Sequence, residues 1–168
     1  MELPLDNGKT MRDSIVFLGL SVAVVLMINL VIITDFDSAP GAVAATQTSS
    51  RLIDKGIREL QSKNFTDAIR LFEQAATANP RNAKAFSYLG RGYDVFGNKT
   101  RAYKYYEIAL DIDPNEVMAL SWSGQVDVLG DNLTLADEKL ARLERVCGTT
   151  CPEYQSLKRV IGNISANN

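Results

Sequence analysis

Laid against itself at an offset of 34 residues, the chain matches three times without a gap. Leu52, Phe86 and Leu120 fall in one column, Gly56, Gly90 and Gly124 in a second, and Ala68, Ala102 and Ala136 in a third. Phe72, Tyr106 and Leu140 follow, then Ala75, Ala109 and Leu143, then Pro80, Pro114 and Gly148. A fixed period of this length marks a stack of supersecondary units, none of which can bury its apolar face alone. The repeat therefore predicts an array of like units in place of a single globular core.

Each column has a physical role in a pair of amphipathic helices joined by a tight turn. The glycine lies in the first helix and the first alanine opens the second, so two backbones can approach where the helices cross. The Phe/Tyr/Leu column fills the space between units, and Ala75 with Ala109 admits the next unit's first helix. Pro80 and Pro114 stop the second helices, because proline cannot continue a helix and biases the residue before it away from one. Asn64, Asn98 and Asn132 share a turn column, and Thr66, Thr100 and Thr134, two residues on, read as N-caps of the second helices. The same triplets, with Asn163-Ile-Ser165, are formal N-glycosylation acceptors. Because they track the turn in every unit, turn chemistry is the preferred reading.

The middle unit, "AFSYLGRGYDVFGNKTRAYKYYEIALDIDP", resembles a tetratricopeptide repeat (TPR), with Leu89, Gly90, Tyr93, Ala102, Tyr106, Ala109 and Pro114 where that family has them. The outer units depart from it: Lys55 and Ser123 replace the leucine, and Glu59 and Asp127 replace the tyrosine. The resemblance covers about Ser49 to Gly148 and implies an all-α fold, an α-solenoid of three helix-turn-helix units at 49–82, 83–116 and 117–150. Residues 151–168 supply a capping helix and tail, with Tyr154, Leu157, Val160 and Ile161 on one face to cover the last apolar surface. The resemblance further implies a concave groove lined by first helices, holding a protein or peptide partner. Carried over, its positions are Ile53, Ile57, Lys84, Ser87, Tyr88, Arg91, Met118, Ser121, Trp122 and Gln125. Chaperone-binding relatives clamp a carboxyl terminus with lysine, arginine and asparagine at such positions; here Ile53, Ile57, Tyr88, Met118 and Trp122 stand instead, so that clamp is absent. Apolar residues mixed with Lys84 and Arg91 suit a segment with apolar anchors and an acidic group. The alternative for Tyr88 and Trp122 is packing against the cap or a neighbouring unit.

Ahead of the repeats, Ser14 to Thr34 reads "SIVFLGLSVAVVLMINLVIIT", without a charge. At ~1.5 Å per residue such a helix spans roughly the ~30 Å of a hydrocarbon core. Lys9 and Arg12 precede it, whereas Asp35 to Ser50 holds Asp35 and Asp37 and no base. That bias puts the 1–13 tail inside, in the cytoplasm, and the repeats outside. "AVA" at Ala42 to Ala44 satisfies the small-residue rule for signal cleavage, but the apolar run is long and stands far from it, so an uncleaved anchor is preferred. Within the span, Gly19 with Ala23 permits close helix contact and Asn29 offers a hydrogen bond to a neighbouring membrane helix. Residues 35–48 lack periodicity and read as a flexible linker.

Cys147 and Cys151 are the chain's two cysteines, and it has no histidine. A structural zinc site needs about four ligands, which two thiols do not complete. A thioredoxin-type pair uses Cys-x-x-Cys, one residue shorter. In an oxidising compartment the pair reads as a structural disulfide fixing the last repeat to its cap, with free thiols as the alternative. Anchor, repeats and Cys-x3-Cys together resemble small exported TPR proteins of proteobacteria. With 18 basic against 20 acidic residues there is no basic excess for nucleic acid. No catalytic constellation stands out: there is no nucleophile with a histidine base and no phosphate loop, and Asp111 with Asp113 reads as a helix terminus. The chain thus reads as a non-enzymatic, cofactor-free scaffold aiding a membrane or envelope complex. Two alternatives remain: an accessory subunit contacting its complex through the membrane helix, and a thiol-disulfide or metal carrier using Cys147 and Cys151.

Overall fold

The computed structural model describes residues 40–165, so the tail 1–13, the segment 14–34 with Gly19, Ala23 and Asn29, and linker residues 35–39 lie outside the described residues. The described residues form seven helices and no strand: α1 (Pro40–Gln61), α2 (Phe65–Ala78), α3 (Ala83–Val95), α4 (Lys99–Ile112), α5 (Val117–Leu129), α6 (Leu133–Cys147) and α7 (Pro152–Ser165). Among them no helix is long and apolar enough to cross a membrane. The helices pair as α3–α4 and α5–α6, with α7 packed on α5 and α6, and α1 lies against α2 where Gly56 faces the Phe72 ring and Ser49 bonds the Ala75 carbonyl. This is an α-solenoid of TPR type.

The first helix of every pair ends in one way. In α1 the Asn64 N–H donates to the Glu59 carbonyl at 2.9 Å and that of Lys63 to Leu60 at 3.1 Å. Asn98 and Gly97 repeat the arrangement on Tyr93 and Asp94, and Asn132 and Asp131 on Asp127 and Val128. These crossed bonds form a Schellman motif, which needs a left-handed residue. It is Lys63 (φ 62°), Gly97 (φ 92°) and Asp131 (φ 60°) in turn, one more column of the repeat. Gly97→Ala is expected to cost about 1 kcal/mol, because a Cβ strains that backbone region, and the shift of the urea midpoint measures it.

Two expectations are corrected here. The N-caps of α2, α4 and α6 are Asn64, Asn98 and Asn132, not the threonines. The Asn98 side chain accepts the Arg101 N–H at 3.0 Å, and Thr66, Thr100 and Thr134 lie inside the first turn. The chain leaves the left-handed residue directly into the asparagine, whose non-helical backbone makes it the boundary. Second, the stretch read as a flexible linker over 35–48 is helical from Pro40 onward, continuous with the first repeat helix. Proline is tolerated at a first helical position, and the alanines that follow favour a helix. Tertiary bonds hold its inner end: Asn79 Nδ2 donates to Thr46 Oγ1 at 3.3 Å, Ser49 Oγ donates to the Ala75 carbonyl at 2.9 Å, and Asn82 Nδ2 donates to Ser49 Oγ.

The core follows the small-residue columns. Ala68, Ala102 and Ala136 are wholly buried, as are Phe72 and Tyr106. Gly56 and Gly90 leave the room for those rings. In the third unit the arrangement differs from the expected one: Leu140 is only half-buried, and Leu157 from α7 lies against Gly124. A leucine at the third position of the Phe/Tyr/Leu column is too short to fill the gap, so the closing helix fills it. Tyr154 and Leu157 are buried there, Val160, Ile161 and Ile164 pack beside them, and Gln155, Lys158 and Arg159 face water. The same cluster receives Cys147 and Cys151, whose sulfurs stand at disulfide distance (2.02 Å). Gly148, between them, takes φ 79° as α6 ends.

The departure at Ser123 leaves a trace. Its hydroxyl is buried and has no hydrogen-bond partner among the described residues, at the position where the middle unit has Leu89. Removing an unsatisfied buried hydroxyl recovers its desolvation penalty. Ser123→Ala is therefore expected to raise stability by about 1 kcal/mol, read as a higher thermal midpoint.

Candidate functional site

Helices α3, α5 and α7 pack in succession, presenting the first-helix residues on one face. Tyr88 of α3 and Trp122 of α5 meet edge-on, with ring centroids 5.3 Å apart. Phe72 backs Tyr88 at 5.5 Å and Tyr106 backs Trp122 at 6.2 Å. Both groove rings are thus braced by the core and remain half-buried. Each also carries a cation: Lys84 Nζ lies 5.9 Å from the Tyr88 centroid, and the Arg91 guanidinium 5.6 Å from that of Trp122. Arg91 donates to Asp94 at 2.8 Å, and Asp94 also accepts from Lys99.

The structure divides the groove positions expected from sequence. Lys84 is exposed, and Ile57, Tyr88, Arg91, Met118 and Trp122 are half-buried. Ile53, Ser87 and Ser121 are buried and do not line an open surface. Ser87 Oγ donates to the Ala83 carbonyl at 3.1 Å, back into its own helix. Ser121 Oγ donates to the Glu153 carbonyl at 3.0 Å, and Gln125 Nε2 donates to Ser121 Oγ and to Ser156 Oγ at 3.2 Å. Ser121 and Gln125 therefore seat the capping helix. A family groove position counted in from the repeat end belongs instead to the contact between consecutive first helices.

Sequence reasoning missed the carboxylates of this face. The Tyr88 hydroxyl is pushed above its ordinary pKa by burial first, then by Glu116, Glu153 and Asp54. Those acids come from three elements: α1, the N-cap of α5 and the first turn of α7. Glu116 accepts the Met118 N–H at 3.3 Å. Burial raises its carboxyl above the usual range, against the Met118 N–H bond that lowers it. Asp54 and Glu116 line a pocket of about 410 Å³ with Ile53, Arg81, Lys84 and Asp113. One signal was available: Glu116 stands where Asn82 caps the preceding unit, and a capping carboxylate at a first-helix N-terminus points along that helix's open edge. Among the described residues no group of His, Cys, Asp or Glu is arranged to hold a metal ion.

The helix pairs, Schellman turns and small-residue crossings are those of TPR domains, and solved structures agree. The TPR2B domain of yeast Sti1, solved in a pHsp70 complex, superposes with a TM-score of 0.65 at 13% identity, over 73% of this chain and 99% of that one. The Sgt2 TPR domain of Aspergillus fumigatus gives 0.61 at 24% identity, over 71% and 81%. The Yersinia enterocolitica type III secretion chaperone SycD, in complex with a peptide of the translocator YopD, gives 0.60 at 17%, over 72% and 95%. No family model matches the chain, and no curated protein matches it. The likeness is one of fold.

Proposed function

We propose that this chain is a membrane-tethered, non-catalytic adaptor that holds a protein or peptide segment in its concave groove. It works on the periplasmic side of the inner membrane, where it aids the assembly or stability of a membrane or envelope complex. One observation carries the reading: the Tyr88–Trp122 pair, braced from behind by Phe72 and Tyr106, stays half-open on a face that first helices build. A rigid aromatic pair of this kind is a ready anchor for an apolar side chain. Support also comes from neighbours of the same fold, Sti1 and SycD, which were solved with pHsp70 and with a YopD peptide. The uncharged 14–34 segment and the Lys9/Arg12 bias support the tether and its orientation, and the cysteine pair at disulfide distance suits an oxidising compartment.

The test uses the full-length chain, purified in mild detergent with its partners identified by mass spectrometry. Trp122→Ala is expected to weaken partner retention about thirtyfold or more, about 2 kcal/mol or above for a central aromatic anchor, while circular dichroism stays helical. A chain reduced to residues 1–48 should retain nothing. If that anchor alone keeps the partner, the contact belongs to Gly19, Ala23 and Asn29 and the groove reading fails. A carboxyl-terminal reporter active only in the cytosol would overturn the orientation.

A further inference from the structure

The first unit breaks three contact columns at once. In the middle unit Ala85, Leu89 and Gly92 of α3 face the unit before it. The first two are buried in one cluster with Ile69 and Phe72 of α2, and a Cβ on Gly92 would stand 2.9 Å from Cγ1 of Ile69. In the third unit Ala119 and Ser123 hold the first two of these positions and are buried likewise. One period before the middle unit the three positions are Arg51, Lys55 and Arg58, and all are exposed. Their spacing of i, i+4 and i+7 sets them along one stripe of α1. Among the described residues none of the three enters an ion pair. The acids of α1 are placed elsewhere: Asp54 lines the pocket that Lys84 shares, and Glu59 accepts from Asn64 Nδ2 at 2.8 Å. Like charges three and four residues apart repel, so the stripe weakens its own helix. Uncharged polar residues would end the stack without that repulsion.

Resting on the membrane tether put forward above, we propose that this stripe binds the anionic headgroups of the bilayer that holds residues 14–34. Only residues 35–50 separate Thr34 from Arg51, and from Pro40 onward they are helix. At ~3.5 Å per extended residue and ~1.5 Å per helical one, Arg51 stays within about 35 Å of the end of the span. A charged surface tethered so close acts at high effective concentration. Each lysine or arginine drawn to it raises the docked-to-free ratio about fivefold. The stripe's columns are not the column of Tyr88 and Trp122, so docking leaves the aromatic pair free for its partner.

The experiment places the full-length chain in nanodiscs of phosphatidylcholine, with or without phosphatidylglycerol, and reads approach to the surface with a headgroup-linked quencher. The fluorophore sits on Ser62→Cys, one turn beyond Arg58, or on Gly162→Cys in the closing helix; Cys147 and Cys151, joined to each other, do not take the label. Phosphatidylglycerol is expected to quench the Ser62 label at about 0.15 M salt but not at about 1 M, and to leave the Gly162 label unchanged. Arg51→Gln, Lys55→Gln and Arg58→Gln should each lower the docked-to-free ratio about fivefold. The triple variant, still helical by circular dichroism, should lose the response, whereas Arg51→Lys with Arg58→Lys should keep it. Quenching at Ser62 that ignores phosphatidylglycerol or survives the triple variant overturns this inference and leaves the tether and the groove standing. So does a stripe shielded from labelling reagents only by a co-purifying acidic protein. Extraction of the chain from cell membranes by alkaline carbonate removes the tether and this inference with it.

Discussion

Asp127→Ala is expected to destabilise the repeat array by about 3 kcal/mol, lowering the thermal midpoint by about 10 °C. Asp127 is 3% exposed, and its carboxylate accepts from Lys139 Nζ at 2.6 Å; the lysine side chain is itself 13% exposed. Removing the acid leaves a buried ammonium whose nearest other carboxylate, Glu107, is 3.8 Å away. A largely buried ammonium left with only this more distant, half-exposed carboxylate costs more than the net worth of the pair. The repeat shows what the pair replaces. One period earlier, the same positions hold Tyr93 and Tyr105, stacked with centroids 5.5 Å apart and tilted by only 12°. Tyr93 donates to Glu73 at 3.0 Å, and Glu73 is the counterpart of Glu107. The volume that an aspartate gives up passes to Tyr103, which stands where the earlier unit has Ile69 and lies under the Lys139 ammonium at 5.0 Å.

The exchange suggests a rescue. Asp127→Tyr with Lys139→Tyr and Tyr103→Ile rebuilds the middle unit's arrangement against Glu107. It should return to within about 1 kcal/mol of the parent, as replaced ion pairs commonly do. If Asp127→Ala costs less than about 1 kcal/mol, this account of the third unit is wrong. Tyr103 adds an alkaline signature. Its hydroxyl is pushed up to about 12, first by burial and then by Asp127 and Glu107. Its folded pKa lies above its unfolded one, so the stability it contributes is whole below about pH 10 and fades as pH climbs to about 12. Tyr103→Phe should blunt that loss in urea midpoints measured across the window. Part of the loss remains, because Tyr88, Tyr93 and Tyr106 are raised as well.

Gly90→Ala is the second large effect, with an expected cost of about 2–3 kcal/mol. A Cβ there would stand 2.5 Å from Cε1 of Tyr106 and 3.0 Å from the Ala102 carbonyl oxygen. Tyr106 is wholly buried and the carbonyl belongs to a helix backbone, so neither can yield without moving α4 against α3. The gain in helix propensity, up to about 1 kcal/mol, recovers only part. Gly162 supplies the control. It is an exposed glycine of α7 with nothing within 4 Å of its Cβ position, and Gly162→Ala is expected to raise stability by about 0.5–1 kcal/mol. Urea midpoints that move the same way for both variants would refute the crossing-point role of the glycine column. Gly124→Ala should cost less than Gly90→Ala, since the atom it meets, at 2.7 Å, ends a leucine side chain.

The groove was legible only in part. Tyr88 and Trp122 could be placed from the repeat register, because a period of 34 carries any first-helix position from one unit to the next. The carboxylates could not. Asp54, Glu116 and Glu153 do not share a column, and their charges bear on the Tyr88 hydroxyl from three different elements. Ser121 looked like a groove residue for the converse reason: its column faces outward until a further helix packs over it. The pairing of Arg91 was not legible either, because its partner Asp94, three residues away, belongs to no repeat column.

What the sequence determined by itself was the unit: its length, its two helices, its glycine and alanine crossings, and the proline that closes it. Period and residue size are local properties, and a column of small residues admits one kind of contact wherever it recurs. What only the tertiary structure decided was how departures from the pattern are absorbed. Asp127 required Lys139 and Tyr103, Leu140 required Leu157, and the stretch after Pro40 became helix with Ser49 and Thr46 bonded to the end of α2. In each case the compensating group lies on another helix, and burial and charge are settled by what the folded chain brings within a few ångströms.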